Sequence, residues 1–231
     1  MTSPNAVQSD SNSPHQRQPV RTAGASIPDA TAAVVLFHGR GGTADDILRL
    51  ADDLDQPAVT YRAPQASGRT WYPHSFLAPL RQNEPHLSSA LQAASDVVAT
   101  LADEGIPPQK TMLVGFSQGA CLALEYAARH PDRYGSVVAF SGGLIGNGER
   151  DAEPPNDKTF DYDGALNGTP VFLGCSDRDP HIPLRRVHQT ADALERHGAA
   201  VTTRIYEGMG HTITADEIDH ARTFLGGLTD T

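Results

Sequence analysis

The chain has 231 residues, with 39% hydrophobic and 20% charged residues, which is typical of a single globular domain. Eighteen basic against 28 acidic residues give a formal net charge of −10, so nucleic acid and anionic membrane surfaces are poor candidates for partners. No apolar run approaches the roughly 18 residues that a membrane-spanning helix needs, so we expect no integral membrane segment.

The N-terminal residues are rich in Ser, Pro, Asn and Gln, a composition typical of a disordered segment. They also lack the apolar core of a secretory signal. The two cysteines, Cys121 and Cys175, are far apart and form no C-x-x-C pair, which favours a reducing compartment and packing roles. We therefore predict a cytoplasmic protein with a disordered tail over residues 1–28 and a single domain over residues 29–231.

Beyond the tail, apolar runs typical of buried strands alternate with patterns typical of amphipathic helices. Strands are predicted at residues 32–37, 58–62, 111–116, 137–141, 170–174 and 201–206. Helices are predicted at residues 43–54, 88–104, 118–130, 184–197 and 214–225, and long loops at 63–87 and 142–168. Uniformly apolar strands that alternate with helices predict an α/β fold, with a mostly parallel central sheet and helices on both faces.

The sequence Gly115-Phe116-Ser117-Gln118-Gly119 has the form G-x-S-x-G and lies where a predicted strand meets a predicted helix. In such a turn the serine takes strained backbone angles, its neighbours two residues away must be small, and its hydroxyl is lifted above the sheet edge. The helix N-terminus behind it offers unpaired N–H groups that suit a developing oxyanion. A glycine-rich chain also produces this pattern by chance, so an ordinary turn serine stays an alternative at this point.

A serine nucleophile needs a histidine base, and the base needs a carboxylate that orients it. In open parallel sheets such groups lie in loops after the carboxyl ends of strands, and here the expected chain order is serine, acid, histidine. Asp177 and Asp179 both follow the predicted strand at 170–174, and His211 follows the last predicted strand. The residues alone therefore predict Ser117 and His211 together with one of two aspartates.

Four short sequences resemble the carboxylesterase/phospholipase branch of the α/β-hydrolases, the branch that includes the acyl-protein thioesterases. They are FHGRGG at 37–42, GFSQGA at 115–120, DPHIP at 179–183 and EGMGH at 207–211. The loop RTWYPHSF at 69–76 is more similar to bacterial members near the hydroquinone-resistance hydrolases. The resemblance covers nearly the whole predicted domain, and it implies an α/β-hydrolase fold without a large cap domain.

The same resemblance implies roles for individual residues. Ser117 matches the nucleophile, His211 the base, and Asp179 the acid, because the family's acid directly precedes a P-x-[VI]-P sequence. The backbone N–H groups of Arg40 and Gln118 match the donors of the oxyanion hole. The thioesterases usually carry leucine where Arg40 stands, and we hypothesise that an arginine there favours an anionic or polar acyl group over a long lipid chain.

Several residues are candidates for the substrate pocket. Trp71, Tyr72 and Phe76 lie in a loop that overhangs the site in this architecture, and His181 follows the acid. The alternative for the aromatic residues is a small satellite core beneath the loop. His38 is expected to hold the oxyanion loop by hydrogen bonds. No histidine pair has H-x-x-x-H or H-E-x-x-H spacing, so we expect no metal, and the implied chemistry needs no cofactor.

The resulting prediction is a serine carboxylesterase, similar to lysophospholipases or thioesterases, that hydrolyses a small-molecule ester or thioester through an acyl-enzyme on Ser117. The alternatives are hydrolysis of aromatic or hydroquinone-related esters, a peptidase, and a non-catalytic binding protein of the same fold. A nucleotide-binding domain is a remote alternative, because Arg40-Gly41-Gly42 lacks both G-x-G-x-x-G and a Walker lysine. Relatives in this family are often dimers, so a homodimer is a further expectation.

Overall fold

The computed structural model describes residues 13–147 and 158–229, which include a seven-stranded sheet. Its strands, in chain order, are β1 (Val20–Gly24), β2 (Ala32–Phe37), β3 (Val59–Pro64), β4 (Thr111–Phe116), β5 (Ser136–Phe140), β6 (Pro170–Ser176) and β7 (Ala200–Tyr206). In space the order is β1-β3-β2-β4-β5-β6-β7, with β1 antiparallel to β3 and all other neighbours parallel. The predicted mostly parallel sheet is confirmed.

The α-helices within the described ranges follow the predicted alternation with strands. They are α1 (Ala44–Leu48), α2 (Leu50–Leu54), α3 (Leu80–Asn83), α4 (His86–Asp103), α5 (Gln118–Arg129), α6 (Leu184–Arg196) and α7 (Ala215–Thr229). The helix predicted at 43–54 is divided at Arg49 into α1 and α2, and the loop predicted at 63–87 contains α3 and the start of α4. Thr43 caps α1, because its hydroxyl accepts from Asp46 N over 3.1 Å.

Strand β2 illustrates how the sequence builds two layers on the sheet. Its six residues are fully buried, and successive side chains point to opposite faces. The odd-numbered residues pack in one core with α4, α5 and α6, whereas the even-numbered residues pack in the other with α1, α2 and α7. Both faces of the strand are covered, which is why it is apolar at every position instead of alternating between apolar and polar residues.

Residues 13–28 correct the predicted disordered tail. Val20–Gly24 form β1, and His15 is only 2% exposed. His15 Nε2 donates to Trp71 O over 2.9 Å, and its Nδ1 accepts from Ser67 N over 3.0 Å. The polar composition misled the prediction because backbone pairing and polar contacts, rather than apolar burial, hold this segment. Residues 1–12 lie outside the described residues.

The long loop predicted at 142–168 is only partly covered, since residues 148–157 lie outside the described residues. Its described parts, 142–147 and 158–168, contain neither helix nor strand. In the described ranges of the chain no large cap domain is present, as the resemblance implies. Among the described helices, none is long and apolar enough to cross a membrane.

Candidate active site

Ser117 lies in the turn between β4 and α5, at φ 56° and ψ −118°, a strained conformation for a residue with a side chain. Its N–H donates to Phe140 O over 2.9 Å, which ties the turn to β5. A Cβ on Gly115 would collide with the backbone of Gly119, and a Cβ on Gly119 would collide with Phe37 O. Close approach of the backbone therefore requires both glycines of the G-x-S-x-G sequence.

Two polar side chains, from the loops after β6 and β7, form a hydrogen-bonded chain with Ser117. His211 Nε2 lies 2.8 Å from Ser117 Oγ, and His211 Nδ1 lies 2.7 Å from Asp179 Oδ2. The ring of Phe116 packs against the imidazole, with ring centroids 4.9 Å apart. The carboxylate of Asp179 is fully buried, so one nitrogen of the imidazole is held and oriented while the other faces the serine hydroxyl.

The two candidate aspartates have different partners. Asp179 Oδ1 accepts from the backbone N–H groups of His181 and Ile182, over 2.8 and 3.0 Å, which leaves Oδ2 for the imidazole. Burial acts to raise the pKa of Asp179, but the hydrogen bonds from the imidazole and these two N–H groups outweigh it, so the pKa lies below its ordinary value. Asp177 instead accepts from Gly208 N over 2.8 Å, in the turn after β7. The structure brings Asp179, and not Asp177, to the imidazole.

The loop after β2 runs beside the serine. A Cβ on Gly39 would come within 3.4 Å of Ser117 Cβ. His38 Nδ1 donates to Gly39 O over 2.8 Å and its Nε2 accepts from Ala66 N over 3.1 Å, while Trp71 Nε1 donates to His38 O over 2.9 Å. Burial is the largest cause of the lowered pKa of His38, so the imidazole is neutral. His38 therefore holds this loop by hydrogen bonds, in the role that the sequence predicts.

The serine faces a cleft of about 690 Å³. The predicted site residues that border it, besides Ser117 itself, are Arg40, Tyr72, Phe76, Gln118, His181 and His211. The ring of His181 meets that of His211 edge to face, with centroids 4.8 Å apart. Arg40 and Gln118 flank the serine from the loop after β2 and from the first residue of α5, where donors to an oxyanion would have to lie.

Trp71 corrects the predicted pocket. Its side chain is fully buried and is not among the residues that border the cleft. It packs behind the loop after β2, against Phe37, with ring centroids 5.9 Å apart. An indole side chain is stabilised where its ring is buried away from water and its N–H has a hydrogen-bond acceptor. For Trp71 that acceptor is His38 O. Trp71 thus supports the loop, and the satellite-core alternative holds for this residue.

Phe116, Cys121 and Ile182 also border the cleft, although none of them was predicted to do so. Phe116 and Ile182 are chain neighbours of predicted site residues, and that adjacency is the signal that could have found them. Cys121 follows Ser117 by about one helical turn. Burial is the main cause that raises the pKa of Cys121 to about 12, so the group stays a thiol, in keeping with the predicted packing role.

The arrangement combines a hydroxyl, an imidazole held by a carboxylate, and neighbouring backbone N–H groups. Those are the groups that acyl transfer through a covalent intermediate requires. In the part of the chain that the structure describes, this site included, no group of three or more His, Cys, Asp or Glu side chains is arranged to hold a metal ion.

Known proteins similar to this chain are esterases and thioesterases. A family model described as phospholipase/carboxylesterase matches residues 24–228. Acyl-protein thioesterase 1 of Saccharomyces cerevisiae is 27% identical over 228 residues, which cover 87% of this chain and 94% of the yeast protein. A solved phospholipase/carboxylesterase from Dyadobacter fermentans is 42% identical with a TM-score of 0.82, covering 90% of this chain and 96% of that one. Esterase PE8 is 27% identical with a TM-score of 0.71, covering 91% and 98%. The predicted α/β-hydrolase fold is confirmed.

Proposed function

The chain belongs to the phospholipase/carboxylesterase family and is a serine hydrolase of esters or thioesters, and within that family we propose that it works through an acyl-enzyme on Ser117. The observation that carries the proposal is the chain of two hydrogen bonds from Ser117 Oγ through His211 to Asp179. The serine stands in a strained conformation at the N-terminus of α5, and the acid at the other end of this chain is buried.

Acylation follows from this geometry. Ser117 Oγ attacks the carbonyl carbon while His211 Nε2 takes the hydroxyl proton. Asp179 accepts a hydrogen bond from Nδ1, which fixes the tautomer and stabilises the imidazolium that forms. The negative charge that develops on the carbonyl oxygen is stabilised by the backbone N–H groups of Arg40 and Gln118, and losing one such donor typically costs about 100–1,000-fold in rate.

The tetrahedral intermediate then collapses. The bond between the carbonyl carbon and the alcohol or thiol breaks, His211 gives its proton to that leaving group, and the acyl group stays on Ser117. Deacylation uses the same groups a second time. Water then enters the open cleft, loses a proton to His211 and attacks the acyl carbonyl. As the bond from the acyl carbon to Ser117 Oγ breaks, His211 returns that proton to Oγ, which releases the carboxylic acid and restores the serine. Tyr72, Phe76 and His181 are proposed to contact the substrate, since they border the cleft in which the acyl-enzyme would stand.

Hydrolysis of p-nitrophenyl acetate by three variants tests these roles. Ser117→Ala is expected to lose the burst and the steady turnover, with a fall on the order of 10⁶-fold in kcat. Asp179→Asn is expected to fall about 10⁴-fold, because the imidazole is then held in the wrong tautomer. The matched control is Asp177→Asn, two residues away in the same loop, which should keep turnover close to that of the wild type because Asp177 binds Gly208 N instead.

Each outcome decides one assignment. If Ser117→Ala keeps the wild-type rate, the proposed nucleophile is wrong. If the wild type neither hydrolyses the ester nor reacts with a fluorophosphonate probe, the binding-protein alternative is favoured. If Asp177→Asn loses activity and Asp179→Asn keeps it, the acid is misassigned. An ester series from acetate to palmitate, with 4-hydroxyphenyl acetate and a peptide amide beside it, separates the aliphatic, hydroquinone-related and peptidase alternatives.

The compartment and the oligomeric state belong to the same proposal. We infer a cytoplasmic enzyme, supported by two buried cysteines that are free thiols and do not pair with each other. The homodimer that the family resemblance implies stays a prediction. Subcellular fractionation and sedimentation equilibrium are the measurements that check them.

A further inference from the structure

One short segment, residues 70–74, contacts both elements that carry the proposed oxyanion donors. The guanidinium of Arg40 reaches it from the loop after β2. Arg40 Nη1 donates to Thr70 Oγ1 over 2.9 Å and to Pro73 O over 3.0 Å, and Nη2 donates to His74 O over 2.7 Å. These three hydrogen bonds hold the side chain along the rim of the cleft, with its guanidinium carbon 6.0 Å from the centre of the Tyr72 ring.

The carboxamide of Gln118 reaches the same segment from the start of α5. Gln118 Oε1 accepts from Trp71 N over 2.9 Å, and Nε2 donates to Tyr72 O over 2.8 Å. The residue is only 6% exposed, so these hydrogen bonds are shielded from water. Each proposed oxyanion donor is therefore the backbone N–H of a residue whose own side chain is fixed to residues 70–74.

The hydroxyl of Thr70 joins the two side chains. It accepts from Arg40 Nη1, and it lies 3.2 Å from Gln118 Oε1 and 3.3 Å from Tyr72 O, to either of which its single hydrogen can be donated. The backbone supports the same connection, because Gly41 N donates to Arg69 O over 2.7 Å. Thr70 itself does not border the cleft, so it has no contact with a substrate bound there.

We propose that Thr70 is a positioning residue for the hydrolysis reaction, acting through the side chains of Arg40 and Gln118 to hold their two backbone N–H groups at the spacing that an oxyanion needs. This inference rests on the proposed acyl-enzyme mechanism. Stabilisation of the oxyanion depends on donors that are already in place when the charge develops, so a small displacement of either donor lowers the rate more than it weakens substrate binding.

The same contacts change the role expected for Arg40. Its guanidinium donates hydrogen bonds to two carbonyl groups and a hydroxyl of residues 70–74. Arg40 therefore acts as a clamp, a side chain that fastens the loop after β2 to this segment. The selection of anionic acyl groups, hypothesised from sequence, would require the charge to be directed at the substrate. The clamp predicts that loss of Arg40 harms hydrolysis of neutral esters, whereas charge selection predicts that it harms only anionic ones.

The first test compares Thr70→Val, which keeps the shape and removes the hydroxyl, with Thr70→Ser, which keeps the hydroxyl. Thr70→Val is expected to lower kcat for p-nitrophenyl acetate by about 10-fold with little change in KM, a fraction of the loss from one missing donor. The adduct of an aryl trifluoromethyl ketone with the serine carries an oxyanion. Thr70→Val should therefore raise the inhibition constant of such a ketone by the same factor. Thr70→Ser should recover most of both losses, and Thr100→Val, on the exposed surface of α4, is the matched control.

The second test is a double-mutant cycle with Arg40→Leu. Because both residues act through one network, the losses from Thr70→Val and Arg40→Leu should be less than additive on the neutral ester. The inference is overturned if Thr70→Val leaves kcat and the ketone affinity unchanged. It is also overturned if kcat falls only in proportion to a loss of folded protein measured by circular dichroism, with the ketone affinity unchanged. It is also overturned for Arg40 if only an anionic ester, the p-nitrophenyl ester of succinate, is affected.

The two proposals fail in distinguishable ways. If Ser117→Ala stays active, the acyl-enzyme on Ser117 is wrong and the positioning role falls with it. If Ser117→Ala is inactive while Thr70→Val behaves like the wild type, the acyl-enzyme stands, and the two N–H groups keep their geometry without the hydroxyl of Thr70.

Discussion

The backbone strain at Ser117 is offset by its surroundings. A residue in a sparsely populated conformation costs on the order of 1–3 kcal/mol of folding free energy and persists only where neighbouring contacts fix it. Here those contacts are the hydrogen bond to Phe140 O and the close approach of β4 and β2 to the first turn of α5. That approach is possible because Gly115 and Gly119 have no Cβ, so two residues without a functional group determine where the nucleophile stands.

A pair of glycine substitutions tests this argument. Gly119→Ala is expected to lose most ester hydrolysis and to lower the melting temperature, because its Cβ collides with Phe37 O and such overpacking costs about 1–3 kcal/mol. The matched control is Gly227→Ala on α7, where a Cβ meets no atom within 4 Å. There the same change should stabilise the protein by up to about 1 kcal/mol, since alanine favours the helix. Thermal melts that move equally for both variants would contradict the close-approach argument.

The acid shows how far the sequence alone leads at the scale of single residues. Asp177 and Asp179 lie two positions apart after the same strand, and both accept backbone N–H groups in the structure. Which of them reaches His211 depends on the path of a loop over a few ångströms, and that path is not encoded in spacing. The sequence left both the pocket and the satellite core open for Trp71 for a related reason, because an aromatic side chain in a loop is equally suited to the inner and the outer side of that loop.

At the scale of elements, the N-terminal strand is the clearest departure from prediction. Strand β1 is the antiparallel edge of the sheet, and four of its five residues are exposed. Its hydrogen bonds go to β3, and it contributes little to either core. A strand held by backbone pairing leaves no hydrophobic periodicity, whereas β2, β4 and β5 are buried on both faces and are readable from their apolar runs.

His15 makes the attachment of this segment dependent on pH. Burial is the largest cause of its lowered pKa, with the charges of His86 and His38 acting in the same direction and hydrogen bonds to the backbone of Trp71 and His86 opposing them. Its Nδ1 must be unprotonated to accept from Ser67 N. A histidine whose folded pKa is depressed binds more protons when unfolded, so the free energy of unfolding falls as pH drops below about 6.5 toward the folded pKa.

Urea unfolding of the wild type and of His15→Gln between pH 8 and pH 5 measures this contribution. The wild type should be more stable than the variant at pH 8, and its advantage should shrink on acidification, by at most about 1.4 kcal/mol per pH unit for one proton. His188→Gln, exposed on α6, is the matched histidine control. Stability curves of wild type and His15→Gln that stay parallel over the whole range would show that His15 does not carry the pH dependence.

At the scale of the whole molecule, the site follows from the direction of the sheet. All neighbouring strands from β3 to β7 run parallel, so the loops after β2, β4, β6 and β7 meet at one edge. Those loops carry Arg40, Ser117, Asp179 and His211. The gathering of distant residues was therefore predictable from alternating strands and helices. The hydrogen bonds of Arg40 and Gln118 to residues 70–74 were not predictable, because they depend on side-chain contacts with a loop that has no periodic pattern.

The excess of acidic residues is a property of the entire surface. With a formal net charge of −10, the folded chain repels itself, and salt screens that repulsion as the Debye length falls from about 10 Å at 0.1 M to about 3 Å at 1 M. We expect the melting temperature to rise by a few degrees between 0.05 and 1 M NaCl. For a chain of this size, that shift corresponds to an increase on the order of 1 kcal/mol in the free energy of unfolding.

A charge-exchanged variant provides the control. Asp103 and Glu195 are exposed in the last turns of α4 and α6, where a cation suits the helix dipole better than an anion. Each change to lysine adds two positive charges, so Asp103→Lys with Glu195→Lys reduces the net charge from −10 to −6. This variant should melt higher than the wild type at low salt and respond less to NaCl. An unchanged salt response would mean that specific ion binding or general salting-out, rather than self-repulsion, governs the stability of this acidic surface.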